Sequence, residues 1–119
     1  MLNGIIVAMG GAIGAVLRYL IGLLPLNPQN GFPLKTFCIN VIGAFAIGLV
    51  AALSARASLN PRFTLFLKVG ICGGFTTFSS FALETETLLG KGNQTIALLY
   101  VVSSLVCGVL AVAVAESLV

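Results

Sequence analysis

The sequence predicts an all-α integral membrane protein, a single domain of four transmembrane helices over residues 1–119 with the third helix broken. Three observations predict it. Hydrophobic residues make up 59% of the chain and charged residues 8%, with a mean hydropathy of +1.15. A soluble domain carries about 25% charged residues, so this chain has too few to coat a water-facing surface. The apolar residues also fall into four runs of about 20, the length a helix needs to cross a hydrocarbon core about 30 Å thick. Finally, the polar residues left at membrane depth gather in one stretch, GICGGFTTFSSFALETE, from Gly70 to Glu86.

The first helix is expected over residues 4–24, ending at Pro25. The opening MLNGIIVAMGG has no positive n-region, and its apolar run outlasts a signal core, so it reads as a retained span rather than a cleaved leader. Gly10 and Gly14 are four apart, a spacing that lets helices approach closely in lipid. The surrounding GGAIGA is not a nucleotide loop, because no strand precedes it. Arg18 stands about two turns before Pro25. Its long stem suits an interfacial anchor beside Tyr19 as well as a functional cation.

A loop, PLNPQNGFP, leads to the second helix, expected over residues 34–53. Asn40 lies within it, with Thr36 one turn earlier on the same face. An amide in a membrane helix serves as interhelical glue or as a donor facing a solute. Ala44 and Gly48 repeat the four-residue spacing of small residues. The connector SARASLNPR carries Arg56 and Arg62.

The third helix is expected over residues 63–89, broken near 73–79. Gly70, Gly73 and Gly74 weaken helix, and Thr76 and Thr77 favour alternatives to it. Non-helical backbone at this depth persists only where it is buried in protein or lines a cavity. Such a break exposes carbonyls that suit a cation and N–H groups that suit an anion. Phe78 and Phe81 share a face of the second half, and the positive edges of their rings favour an anion. Ser79, Ser80, Glu84 and Glu86 follow. The turn GKGN leads to the fourth helix, expected over 95–118, with Ser103, Ser104 and Glu116 as its polar residues. Ser104 with Gly108, and Ala111 with Ala115, continue the small-residue spacing.

With four spans, Arg56, Arg62 and Lys68 fall on one side and Arg18, Lys35 and Lys91 on the other, three against three of the six. The positive-inside rule then gives no preferred orientation. That is the pattern of a chain inserted both ways, which can pair as an antiparallel dimer. Cys38, Cys72 and Cys107 each lie in an apolar run, match no metal or redox spacing, and read as small buried hydrophobes. The chain has no histidine. No nucleophile–base set or ligand cluster emerges, so no enzyme is expected, and no nucleic acid partner.

The segment GGFTTFSSFALE resembles the signature of the Fluc (CrcB) fluoride channels, a run GG-x-TTFS-x-F followed by Glu. GGAIGAVLRYL is similar to that family's first helix and TFCINVIGAFAIG to its second. The resemblance implies an antiparallel, dual-topology homodimer in the cell (inner) membrane, with two pores for passive fluoride efflux and resistance to fluoride toxicity. It implies that Asn40, Phe78 and Phe81 face fluoride, and that Thr77 and Ser80 join the polar track. Glu84, Tyr100 and Ser104 match further polar positions, and Arg18 a pore-mouth position. It implies that Gly73 and Thr76 give backbone carbonyls to a structural Na⁺ on the dimer axis. Gly108 stands where some relatives have a hydroxyl residue, and Glu86 matches no role.

The alternative is a small dual-topology, proton-coupled exporter of the small multidrug resistance type. Such exporters need a glutamate deep in the first helix. Here the only ionisable side chains of that helix are Arg18 and Tyr19. A non-catalytic assembly subunit would leave the TTFSSF cluster without a role.

Overall fold

The computed structural model describes Met1–Val119. The chain is helical throughout and without strands. Four helical spans are long and apolar enough to cross a membrane: Leu2–Gly22, Leu34–Ala57, Pro61–Gly90 and Gln94–Ser117. α1 (Leu2–Gly22) starts two residues before the expected span and stops three before Pro25. α2 (Leu34–Ala57) begins directly after Pro33, which cannot donate into the helix, and runs four residues past the expected end. Ser58 then turns the chain with φ 51° and ψ 51°.

The third span is composite. α3 (Pro61–Leu65) starts at Pro61, and its N-cap Asn60 accepts from the Arg62 amide at 2.8 Å. Proline at the first helical position has no amide to leave unpaired, which fixes this start. A π-helical segment, Phe66–Cys72, follows, and then the short α4 (Gly73–Phe75). Thr76 (φ −80°, ψ 156°) and Thr77 (φ −148°, ψ 112°) are extended. Helix resumes as α5 (Phe78–Gly90), and α6 (Gln94–Ser117) forms the fourth span.

Glycine contact sets the crossing of the first and third spans. A Cβ built on Gly10 would lie 2.5 Å from Phe66 O and 2.8 Å from Gly70 Cα. One on Gly74 would lie 2.5 Å from Gly11 O, and one on Gly14 would collide with Ile71 O. The backbones thus touch directly, as small residues at four-residue spacing permit in lipid. α2 and α6 pack on the same principle, with Gly48 against Ala115, which is fully buried. Gly108 meets nothing within 4 Å.

The one apolar cluster, Leu88, Ala97 and Tyr100, ties α5 to α6. Phe32 caps it edge-on, 5.5 Å from the Tyr100 ring at 76°, an arrangement that aligns positive ring edge with negative face. Only 14 of 119 residues are buried in the isolated chain, and exposed ones include Leu83, Leu105 and Val109. An apolar exterior on fully hydrogen-bonded helices is what lipid demands.

Candidate functional site

The extended pair Thr76–Thr77 is held by α2. Asn40 Oδ1 accepts from the Thr77 amide at 2.8 Å, and Asn40 Nδ2 donates to Thr77 O at 3.1 Å. The side-chain amide thus pairs with the Thr77 backbone as one strand pairs with another. Its second Nδ2 hydrogen remains for another acceptor. One turn on, Gly43 is buried against Thr76 and Phe75; a Cβ there would overlap Thr76 Cγ2. Asn40 and Gly43 together bring the helix interruption against α2.

Both ends of the interruption are capped. Thr76 N and Oγ1 both donate to Cys72 O, at 3.1 and 2.9 Å. Thr77 Oγ1 accepts from the Ser80 amide at 3.1 Å and so caps α5. Arg18 reaches across from α1, its Nε 3.3 Å from Gly74 O. A guanidinium at the last carbonyls of a helix complements the negative end of its dipole. No hydrogen bond goes to Thr76 O.

A cavity of about 350 Å³ opens at this point, lined among others by Asn40, Gly73, Thr76, Phe78, Phe81 and Ser104. The Phe78 and Phe81 rings stand 5.8 Å apart, and Phe81 leans on Tyr100 at 5.0 Å. Phe78, on the cavity wall, is 77% exposed in the single chain. Ser104 Oγ is buried with no partner. A second cavity, of about 410 Å³, is lined by Arg18, Lys35, Thr36, Ser80 and Glu84 among others. Thr77 lines both cavities.

Glu84 is fixed through both oxygens. Tyr100 Oη donates to Oε1 and Thr36 Oγ1 to Oε2, each at 2.8 Å. Lys35 Nζ donates to Gly22 O at 2.8 Å, closing the end of α1. The second cavity therefore has two cationic side chains and one carboxylate on its wall, a balance that favours anions. Every side chain singled out from the sequence as a site residue lines one of the two cavities, apart from Tyr100, which stands behind Glu84 and Phe81. Glu86 and Glu116 are exposed and line neither. Ser103 turns back to Leu99 O at 2.6 Å.

Cys72 is buried as expected, whereas Cys38 and Cys107 are only half-buried because they face outward on helices of the isolated chain; Gly43 and the π-helical segment were not expected. Gly43 had a signal, since it stands one turn from Asn40 on the same face.

A family model described as CrcB-like protein, Camphor Resistance (CrcB), matches residues 5–115. The chain belongs to the CrcB-like family. Among curated relatives, the fluoride-specific ion channel FluC of Agrobacterium fabrum is 44% identical over 116 residues, 94% of this chain and 91% of that protein. A protein of the same name from Thermus thermophilus is 47% identical over 105 residues, 87% of this chain and 84% of that protein. A third, from Shewanella pealeana, is 47% identical over 91 residues, 76% and 73% of the two chains. This CrcB-like chain is thus a multi-pass membrane protein of a channel family, not of an enzyme family.

Proposed function

We propose that this CrcB-like protein is a fluoride-selective channel that lets F⁻ leave the cell passively across the inner membrane. One observation carries the reading. Asn40, Thr77, Phe78, Phe81 and Ser104, drawn from three spans, converge on one cavity at the helix interruption. The relatives named as fluoride channels supply the identity of the ion.

The lining suits a small, strongly hydrated anion. Amide and hydroxyl hydrogens, with the positive edges of two phenyl rings, replace water around it. None of them is a full charge that would trap the ion and stop conduction. Arg18 and Lys35 draw anions toward the second cavity, and Thr77 joins that cavity to the first. The ion moves down its own gradient. HF enters from acid surroundings, dissociates inside and is trapped as F⁻, which the negative-inside potential then drives out. Resistance to fluoride toxicity follows from this leak.

The working unit is an antiparallel homodimer of oppositely inserted chains. The even division of cations supports it, as does the exposure of Phe78 beside the open cavity. The carbonyls of Gly73 and Thr76 fit a structural Na⁺. They are neutral, hard oxygen donors beside the cavity, and no cluster of three acidic, thiol or imidazole groups competes. Two carbonyls from each copy would hold it, and its charge would fix the paired interruptions and favour anions nearby.

Purified protein in liposomes loaded with KF, with valinomycin to dissipate charge, tests the channel reading. Rapid F⁻ release at a fluoride electrode, without matching Cl⁻ release from KCl-loaded vesicles, is expected. No F⁻ release from well-reconstituted protein overturns it.

A further inference from the structure

We propose that Asn40 and the Thr77 hydroxyl are positioning residues for the cation-binding carbonyls, each diverting the amide that would otherwise occupy one of them. The inference rests on the Na⁺ reading of Gly73 and Thr76 given above. In an uninterrupted α-helix the amide of residue i bonds the carbonyl of residue i−4. The Thr77 amide would take Gly73 O, and the Ser80 amide would take Thr76 O. In this protein neither does. The Thr77 amide goes to Asn40 Oδ1 at 2.8 Å, and the Ser80 amide to Thr77 Oγ1 at 3.1 Å.

The two diversions are separate in origin. Asn40 acts from α2, across 37 positions of sequence, and frees Gly73. Thr77 acts locally, as the N-cap of α5, and frees Thr76. Both leave a carbonyl beside the cavity without the donor a helix would supply, and both satisfy the displaced amide. The glycines and threonines make the interruption possible, and these two side chains decide which oxygens it exposes. Arg18 takes Gly74 O, one of the two carbonyls between them, and so withholds the oxygen next to Gly73 from the cation.

The test is thermal unfolding of the full-length protein in detergent, after dialysis against N-methylglucamine chloride. NaCl is titrated in at constant ionic strength. A ligand that binds only the folded state raises the melting temperature with its concentration. The wild type is expected to respond. Thr77→Val keeps the shape and extended preference but loses the acceptor, so the Ser80 amide returns to Thr76 O. It should need at least tenfold more Na⁺ for the same rise, and Thr77→Ser should recover the wild-type response. Asn40→Leu removes the Oδ1 acceptor and should weaken the response likewise through Gly73. Should one of these two variants fail to fold, the other decides. A wild-type Na⁺ response kept unchanged in Thr77→Val and Asn40→Leu overturns the inference and leaves the Na⁺ reading standing. A wild type blind to Na⁺ overturns both.

Discussion

Tyr100 donates to Glu84 Oε1 at 2.8 Å while its own ring lies 5.0 Å from that of Phe81. One fully buried side chain therefore holds the only carboxylate of the site and backs one of its two phenylalanines. Tyr100→Phe separates the two tasks. The ring stays, and Glu84 keeps only the Thr36 hydroxyl. Losing a hydrogen bond to a charged group costs about 1.5–3 kcal/mol. A lower melting temperature in detergent is expected, with fluoride efflux retained. Tyr100→Ala, which also removes the support of Phe81, should lose efflux as well.

Glu84→Gln asks whether the charge matters. The amide offers one acceptor and two donors. Tyr100 can still donate to its oxygen, and the Thr36 hydroxyl can reverse and accept from its nitrogen. The network stays closed, so stability should change by less than about 1 kcal/mol. A fall in the efflux rate with an unchanged melting temperature would assign a transport role to the charge. Unchanged efflux would leave Glu84 as a scaffold for Tyr100 and Thr36.

Phe81→Ile keeps an apolar side chain of similar reach and removes the ring edge. Phe81 stands between Phe78 and Tyr100 at the cavity wall. Efflux should fall severely while size-exclusion chromatography still shows the wild-type assembly. Unchanged flux would take Phe81 out of the pathway.

Much of this was legible because lipid simplifies the physics. Four apolar runs gave four spans, since each backbone polar group at that depth must be satisfied within the helices. Gly10 and Gly14 announced a close crossing, and Gly70 and Gly74, themselves four apart, receive it. The clustering of Thr76 to Phe81 pointed to the cavity. The pairings were not legible. Nothing local says that Asn40 meets Thr77, or that Tyr100 and Thr36 meet Glu84, because such contacts depend on how helices rotate against one another. The π-helical segment Phe66–Cys72, which packs against α1, carried no local signal either.

The glycine crossing gives a sharp stability test. In Gly14→Ala the new Cβ falls on Ile71 O and within 2.7 Å of the Phe75 amide nitrogen. Both are backbone atoms and cannot rotate away. Overpacking costs about 1–3 kcal/mol or more, so folded protein should be largely lost. Gly4→Ala is the control, since nothing lies within 4 Å of its Cβ. It should be neutral or stabilising by up to about 1 kcal/mol, the helix preference of alanine over glycine. Equal melting temperatures for the two variants in detergent would mean that α1 does not cross the third span as described.

The proposed dual topology makes the last prediction. Three cations on each side leave insertion without a bias. Gln29 lies exposed in the loop between α1 and α2. Gln29→Cys, with Cys38, Cys72 and Cys107 replaced by alanine, should react with a membrane-impermeant maleimide from outside intact cells for roughly half the molecules, and for the rest after permeabilisation. Reaction from one side only would rule out antiparallel pairing of this chain with itself. Charge should also steer the outcome. Adding Leu26→Lys and Gln29→Lys puts two more cations on one face and should drive all copies into one orientation. Such a chain alone has no opposite partner for its open cavity and should not carry fluoride. Co-expression with a chain biased the other way should restore efflux, whereas efflux from the single-orientation chain by itself would show that one orientation is enough.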